Sequence, residues 1–179
     1  MTSNIGFSIK SVPTYVKTTA AELLKNGYKA YLVGGAVRDL LIGRKVKDFD
    51  ITTNALPEQI QKIFPKSVAT GAKFGNIIVI AKDEFGESYE VDVTTFRKEE
   101  NYLKGRWPSK ISFSGDLKSD LERRDFTINA LALDFEIINS DEDQFINVEQ
   151  IDDHHNGVAD LIDGVIRCVG DANERFSED

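Results

Sequence analysis

The sequence is poor in the residues that build disulfide and zinc sites. Its 179 residues include one cysteine, Cys168, and two histidines, which are the neighbours His154 and His155. A single cysteine cannot form an intrachain disulfide, and two adjacent histidines do not provide the spaced ligands of a structural zinc site. We therefore expect neither a disulfide framework nor a zinc centre.

The sequence also lacks long apolar segments. No run approaches the roughly 20 apolar residues that a membrane-spanning helix needs, and residues 1–10 lack the charged-then-apolar order of a secretory signal. The length fits one domain, and hydrophobic residues make up 41% of the chain, which is enough for a core. These features predict a cytoplasmic globular domain without a membrane partner.

Positive charge is in short supply, since the formal net charge is −8. The excess acid lies towards the C-terminal end: residues 134–179 hold 14 acidic and 2 basic residues, whereas residues 1–133 hold 16 acidic and 20 basic residues. Anion binding depends on local basic groups more than on total charge. We expect a phosphate site only in the mildly basic first part, with low non-specific affinity for nucleic acid.

An acidic pair, Asp48 and Asp50, lies in the segment Lys-Asp-Phe-Asp-Ile-Thr-Thr (47–53). The aromatic and β-branched residues of this segment favour extended backbone, in which residues i and i+2 point to the same face. Two carboxylates held together repel each other unless a cation is bound, and hard carboxylate oxygens suit Mg²⁺. The pair is therefore a candidate magnesium site, although Asp-x-Asp also occurs by chance on surface strands.

A glycine turn precedes this pair. Residues 31–33 predict a buried strand, Gly34 and Gly35 allow a tight turn, and residues 36–42 predict a helix. Free backbone N–H groups at the helix start would face an anion, and Arg38 could bind a phosphate with both arms of its guanidinium. The alternative is an ordinary strand-to-helix turn with a surface arginine.

A third carboxylate, Asp92, lies in a segment with strand periodicity. Apolar residues alternate with polar ones over 89–95, and residues 83–86 supply a turn after the apolar run 76–82, so that a hairpin is expected. Asp92 can then lie beside the acidic pair. Three carboxylates around two Mg²⁺ ions suit in-line displacement at phosphorus. Glu90 shares the predicted face of Asp92 and is the alternative for its role.

A basic-acidic cluster, Arg123, Arg124 and Asp125, begins the apolar segment that continues to residue 132, with Asn129 as a polar insertion. If the segment is helical, its apolar residues share one stripe, and Arg124, Asp125 and Asn129 lie near the opposite edge. The alternative is a solvated charge cluster at a helix end.

The apolar pattern predicts an α/β (α+β) domain with a mixed or antiparallel five-stranded sheet and helices on one side. We expect helices starting at Pro13 and over 57–64, with helical turns over 117–132. Strands are expected at 30–33, 67–70, 76–82 and 89–96, a basic loop over 98–115, and an acidic hairpin tip or insertion over 137–156.

Six stretches together resemble one protein family, occurring in the family's order over nearly the whole chain. The sequence resembles the catalytic head of the bacterial class II nucleotidyltransferases, the tRNA CCA-adding enzymes and their poly(A) polymerase relatives, within the DNA polymerase beta-like superfamily. The matching stretches are Gly-Gly-Ala-Val-Arg-Asp (34–39), Asp-Phe-Asp-Ile-Thr-Thr (48–53), Asp-Val-Thr-Thr-Phe-Arg (92–97), Gly-Arg-Trp-Pro (105–108), Arg-Arg-Asp-Phe-Thr-Ile-Asn-Ala (123–130) and Val-Gly-Asp-Ala-Asn-Glu-Arg-Phe-Ser-Glu-Asp (169–179).

The resemblance implies a role for each acidic residue named above. Asp48 and Asp50 would bind Mg²⁺, and Asp92 would be the third carboxylate, able to help deprotonate an RNA 3′-hydroxyl. Residues 105–108 resemble the flexible segment that couples nucleotide choice to closure of the site.

The resemblance also implies a nucleotide site. The glycine turn and Arg38 would hold the triphosphate with Asp39 orienting Arg38, while Arg124 and Asp125 would contact the incoming nucleotide with support from Asn129. The nucleotide-binding residues would be Gly34, Gly35, Arg38, Asp39, Arg124, Asp125, Asn129 and Asp179.

The implied reaction is Mg²⁺-dependent transfer of CMP or AMP from CTP or ATP to a tRNA 3′ end, with release of pyrophosphate. The alternatives are the head of a poly(A) polymerase or of a split CC-adding or A-adding enzyme, which share this chemistry. A third possibility, of another class, is a non-catalytic module that retains the fold and binds nucleotides.

The family pattern is incomplete at the C-terminal end. Residues Glu178 and Asp179 begin a Glu-Asp-x-x-Arg motif whose arginine helps to select the base, and this arginine is missing from the sequence. We expect residues 1–170 to form the catalytic head and residues 171–179 to begin the neck of an excised or split enzyme. Binding of tRNA would then depend mainly on the missing C-terminal domains, and the head alone would select bases poorly.

Overall fold

The computed structural model describes residues 5–102, 108–113, 115–138 and 144–177. Within these residues the α-helices are α1 (Thr14–Lys25), α2 (Gly35–Leu41), α3 (Pro57–Ile63), α4 (Leu117–Glu122), α5 (Gly157–Asp163) and α6 (Ala172–Ser177). Short 3₁₀ turns join several of the elements, among them Thr127–Asn129. None of the helices found in these ranges is both long enough and apolar enough to cross a membrane.

The strands of the described residues form one large sheet and two small ones. They are β1 (Gly6–Ser8), β2 (Ala30–Val33), β3 (Asp50–Thr53), β4 (Val68–Gly71), β5 (Asn76–Lys82), β6 (Ser88–Thr95), β7 (Arg97–Tyr102), β8 (Pro108–Phe113), β9 (Leu131–Asp134), β10 (Phe145–Asn147) and β11 (Ile151–Asp153). The large sheet has the order β11–β9–β2–β3–β6–β5–β4, while β1 pairs with β10 and β7 with β8.

The large sheet is mixed. Strand β3 runs parallel to β6, and the other recorded pairings of the described strands are antiparallel. In the parallel pair Asp50 lies opposite Asp92, and Thr53 lies opposite Thr95. Segments that are distant in the sequence are therefore held side by side at the centre of the sheet.

One face of this sheet forms the main core. The side chains of Leu32, Ile51 and Val93 are fully buried there. Helix α1 covers this face with Val16 and Leu23, which lie about two turns apart on the same side of the helix. Helices α2 and α3 join α1 on this side, because their apolar residues belong to the same cluster.

The opposite face carries a smaller apolar cluster and the polar residues of interest. Tyr31 and Val33 alternate with the core residues of β2 and pack with Leu121 of α4. Asp50 and Asp92 point to this second face, since their neighbours Ile51 and Val93 point into the main core. The fold therefore keeps the acidic residues out of the main core while fixing their backbone within the sheet.

The α/β fold class predicted from the sequence is confirmed, with differences in detail. The large sheet has seven strands in the described part of the chain rather than five, because β9 and β11, which the sequence did not predict, join it beside β2. Helices α1 to α3 lie on one side as expected, but α4 packs on the other face. The predicted loop over 98–115 contains the hairpin β7–β8.

The expectation of helical turns through residue 132 was wrong for its second half. Helix α4 ends at Glu122, a 3₁₀ turn covers Thr127–Asn129, and Leu131–Asp134 forms β9 between β2 and β11. Both faces of β9 are buried, so that its apolar residues do not alternate with polar ones and resemble a helical run in the sequence.

Close packing at Gly157 predicts the cost of adding a single methyl group. A Cβ on Gly157 would overlap the carbonyl oxygen of Thr127, whereas a Cβ on Gly115 would meet nothing within 4 Å. We expect Gly157→Ala to lower the free energy of unfolding by about 1–3 kcal/mol. Gly115→Ala should change it by less than about 0.5 kcal/mol. Urea denaturation of both variants measures this, and equal stability would contradict the packing described.

Candidate active site

Asp50 and Asp92 are direct neighbours on the second face of the sheet. Asp50 begins β3, Asp92 lies within β6, and the two residues are opposite each other in the parallel pair. Asp48 lies before the strand and is exposed, yet it is close enough to Asp50 for their charges to interact. Glu90, the alternative to Asp92, pairs with Ile80 and lies beyond the part of β6 that contacts β3.

The environment of Asp50 disfavours its negative charge. Burial raises the pKa of Asp50 above its ordinary value, the charges of Asp92 and Asp48 raise it further, and Arg124 lowers it. A carboxylate that is partly desolvated beside another carboxylate is stabilised by a bound cation. The electrostatics of this position therefore favour a cation ligand.

Asn76, a residue that the sequence analysis missed, orients Asp92. Its Nδ2 donates a hydrogen bond to Asp92 Oδ1 at 2.9 Å, and its Oδ1 accepts one from Thr94 Oγ1 at 3.4 Å. Asn76 begins β5, opposite Thr94 of β6. The sequence signal was weak, because a polar residue at the start of a strand is common and its partner lies in another strand.

Glycine is required at the first position of the turn between β2 and α2. Gly34 has φ +72°, and its N–H donates to the carbonyl of Leu131 at 3.0 Å. A Cβ on Gly34 would lie 2.9 Å from Nη1 of Arg124. The turn thus brings the backbone against the guanidinium of Arg124, which a side chain at this position would displace.

Arg38 belongs to a chain of hydrogen bonds that spans two segments. Its Nε donates to Asp39 Oδ1 at 2.9 Å, and its Nη1 donates to Asn129 Oδ1 at 2.6 Å. Asn129 Nδ2 in turn donates to Asp125 Oδ1 at 3.1 Å. These contacts fix the guanidinium of Arg38 before a ligand binds, which is the geometry that anion recognition favours.

A cavity of about 400 Å³ connects Arg38 with the carboxylates. It is lined by Gly35, Arg38, Asp48, Asp50 and neighbouring residues, including the basic loop residues 44–47. A lining that contains both basic groups and carboxylates suits a ligand that carries phosphates together with a divalent cation. The cavity brings together Gly35 of the glycine turn, Arg38, and the acidic pair Asp48 and Asp50, while Asp92 is not among its lining residues.

Asp120 is the second residue that the sequence analysis missed. It is buried in α4, where its Oδ1 accepts hydrogen bonds from Arg123 Nε at 3.0 Å and Nη2 at 2.9 Å. Its Oδ2 accepts from Arg124 Nη2 at 3.3 Å. The spacing i, i+3, i+4 of Asp120 with the two arginines was visible in the sequence and is that of neighbours on a helix.

The side chains that the structure describes include no group of three or more His, Cys, Asp or Glu placed to hold a metal ion together. Asp50 and Asp92 are nevertheless adjacent, and the raised pKa of Asp50 shows negative charge without full compensation. Carboxylate oxygens are the donors that Mg²⁺ and Ca²⁺ take. The donor set therefore fits a hard divalent cation.

Some of the expected positions lie outside the described residues. These are Gly105 to Trp107 of the expected flexible segment, the acidic residues 141–143, and Asp179, the last of the expected nucleotide-binding residues.

Comparison with known proteins shows the family. The model of the family described as Poly A polymerase head domain matches residues 30–167. The CCA-adding enzyme of Lactobacillus helveticus is 48% identical over 153 residues, which cover 86% of this chain and 34% of that enzyme. The chain therefore belongs to the poly A polymerase head domain family, and the resemblance seen in its motifs is confirmed.

Solved structures agree with this assignment. The crystal structure of Bacillus stearothermophilus CCA-adding enzyme in complex with CTP matches with a TM-score of 0.74 at 38% identity, over 92% of this chain and 35% of that one. Thermotoga maritima CCA-adding enzyme complexed with a tRNA matches with a TM-score of 0.58 at 27% identity, over 87% of this chain and 32% of that one. This chain thus spans about a third of the length of its relatives.

The charge of Asp50 predicts a pH-dependent gain in stability on its removal. The raised pKa of Asp50 means that its ionisation destabilises the folded state. Asp50→Asn should therefore raise the melting temperature at pH 7, and the gain should vanish as the pH falls through the raised pKa of Asp50 towards the ordinary value of about 3.9. A gain on the order of 1 kcal/mol corresponds to roughly 2–4 °C for a domain of this size.

Thermal unfolding in EDTA at several pH values measures this gain. Asp48→Asn is the matched control, because Asp48 is exposed and should give a smaller change. A melting temperature of Asp50→Asn below that of the parent at pH 7 would contradict the described repulsion.

Proposed function

We propose that the chain is the catalytic head of an RNA nucleotidyltransferase that transfers CMP or AMP from CTP or ATP to a tRNA 3′ end, releasing pyrophosphate. The observation that carries the proposal is that Asp50 lies opposite Asp92 in the sheet and lines the same cavity as Gly35 and Arg38. The similarity to CCA-adding enzymes, one of them in complex with CTP and one with a tRNA, supports this choice of substrates. A tRNA substrate would also agree with the cytoplasmic location expected from the sequence.

The proposed metal ligands are Asp50, Asp92 and Asp48, and the proposed ion is Mg²⁺. Bound Mg²⁺ would supply Lewis-acid activation of the attacking oxygen and stabilise the leaving one. Asp50 and Asp92 hold their carboxylates in the sheet, and Asn76 keeps Asp92 oriented. Asp92 would also help to accept the proton of the RNA 3′-hydroxyl. Asp48, which is exposed and precedes β3, would be the third ligand.

The proposed nucleotide site consists of two arginines and their partners. Arg38, fixed by Asp39 and Asn129, would bind the triphosphate beside the backbone of Gly34 and Gly35. Arg124 and Asp125 would contact the nucleotide itself, with Asp125 at the ribose. Asp179 completes the set of proposed nucleotide-binding residues.

The proposed domain division is a catalytic head followed by the start of a further region. Residues 1–170 would form the head, and residues 171–179, which include α6, would begin the next region of a longer enzyme. The relatives of this chain are about three times its length, so that RNA binding is proposed to depend mainly on parts outside it. The acidic charge of residues 134–179 agrees with weak RNA binding by the head.

A poly(A) polymerase or a CC-adding or A-adding enzyme is the second candidate, because the family described as Poly A polymerase head domain includes this chain. A non-catalytic nucleotide-binding module is less well supported, since Asp48, Asp50 and Asp92 are all retained. Incorporation of nucleotides into tRNA lacking its 3′ end, by the longer protein, distinguishes the first two candidates. Mg²⁺-dependent binding of CTP and ATP by this chain tests the nucleotide site common to all three, and transfer tests catalysis.

Asp50→Asn and Asp92→Asn should remove metal-dependent transfer. We expect the rate to fall by at least about 100-fold, because the loss of a residue that only supports a metal ligand already costs roughly 10–100-fold. Transfer of labelled CMP and AMP to tRNA measures it in the longer protein, and removal of Mg²⁺ should abolish the parent's activity. The matched control is Glu90→Gln on the same strand, which should keep the parental rate. Comparable activity of all variants would contradict the metal assignment.

Arg38→Gln should weaken the binding of triphosphate far more than that of the nucleoside. A lost charge-assisted contact corresponds to roughly a tenfold or greater loss in affinity. Calorimetric titration of this chain with CTP and with cytidine in Mg²⁺ compares the two. Equal losses for both ligands would place Arg38 away from the phosphates.

A further inference from the structure

Asp120 connects four segments through one buried carboxylate. Its side chain is 0% exposed. Besides its bonds to Arg123 and Arg124, it accepts a hydrogen bond from the backbone N–H of Arg97 at 3.3 Å and one from Thr52 Oγ1 at 3.4 Å. It therefore joins helix α4, the two arginines that follow it, the start of β7 and the strand that carries Asp50.

The position of Arg124 depends on this carboxylate. Its Nη2 contacts Asp120, and its Nη1 reaches the Gly34 turn. Its Nε is buried and has no hydrogen-bond partner among the described residues. Burial lowers the pKa of Arg124, while the charges of Asp120 and Asp50 raise it. Asp120 thus holds one nitrogen of the guanidinium, Nη2, while another, Nη1, lies at the Gly34 turn.

The two arginines use Asp120 differently. Arg123 binds one oxygen of Asp120 with two nitrogens, while Arg124 contacts the other oxygen with one nitrogen. A buried carboxylate is costly unless its charge is paired. Arg123 supplies most of that pairing through Oδ1, and Oδ2 of Asp120 contacts Arg124. Thr52 lies two residues beyond Asp50 on the same face of β3, and its hydroxyl contacts both the carbonyl of Thr94 at 3.1 Å and the carboxylate of Asp120 at 3.4 Å, so that Asp120 lies beside the strand of the acidic pair.

We propose that Asp120 is a positioning residue, which holds the guanidinium of Arg124 against the Gly34 turn so that its remaining donors are directed at an oxygen of the bound nucleotide. The proposal rests on the proposed function for its ligand, a nucleoside triphosphate. The contact of Asp120 with Arg124 is independent of that function. A purely structural ion pair would stabilise the fold without affecting the nucleotide through Arg124.

A double-mutant cycle separates positioning from stability. Asp120→Asn keeps the shape of the side chain but removes its charge, and we expect the affinity of this chain for CTP in Mg²⁺ to fall roughly tenfold. In an Arg124→Gln background the same substitution should change the affinity by less than about twofold, because the positioned group is gone. In an Arg123→Gln background the loss should persist. Equal effects of Asp120→Asn with and without Arg124 would overturn the proposal.

A second measurement does not require nucleotide binding. The side-chain Nε–H of Arg124, observed by ¹⁵N NMR of the unliganded chain, should exchange slowly with solvent in the parent and quickly in Asp120→Asn. Asp116→Asn is the matched control, because Asp116 caps the same helix through its contact with the backbone of Lys118. Slow exchange retained in Asp120→Asn would overturn the proposal.

The two measurements keep the inference distinct from the proposed function. If the parent binds neither CTP nor ATP, the proposed function fails, and the NMR signal alone decides the role of Asp120. If Asp120→Asn does not fold, Thr52→Val replaces it, since it removes the hydroxyl that contacts the carboxylate of Asp120 and the carbonyl of Thr94 and leaves the charge of Asp120 in place. We then expect a smaller loss of CTP affinity that again disappears in the Arg124→Gln background, and an unchanged affinity would overturn the proposal.

Discussion

The repulsion between Asp50 and Asp92 is the constraint on which the rest of the site depends. Two carboxylates at opposite positions of a parallel strand pair cannot move apart without breaking the sheet. The surrounding groups reduce the cost only in part: Asn76 donates to Asp92, and Arg124 lies near enough to Asp50 to favour its ionised form. A bound cation, as proposed, would offset the remaining repulsion between the two carboxylates.

The two arginines of the site are each held by an acidic side chain. Asp39 holds Arg38, and Asp120 holds Arg124. Fixed guanidinium groups lose little conformational entropy when an anion arrives, and their charges are directed before binding. The same pairing explains how a chain with a net charge of −8 can present a local anion site.

Local patterns in the sequence were enough to predict the glycine turn, the strand containing Asp92 and the class of the fold. These local patterns were not sufficient where a strand is buried on both faces or where interacting residues are distant in the sequence. Strand β9 is buried on both faces, so that its apolar run carried no strand period. Asn76 was missed because its partner Asp92 lies in another strand, and the contact of Asp120 with Thr52 was hidden for the same reason, although its helical spacing to Arg123 and Arg124 was visible. Such contacts exist only once the chain is folded, and one sequence gives no direct record of them.

The parallel contact between β3 and β6 also affects how the domain acquires its site. Helix α3 and the antiparallel strands β4 and β5 lie between these two strands in the sequence, so that their pairing closes a long loop and is expected late in folding. A partly folded chain with its helices and its β5–β6 hairpin formed would still lack the paired carboxylates. The proposed affinity for a divalent ion would therefore be a property of the completed tertiary structure, and newly synthesised chains would acquire it last.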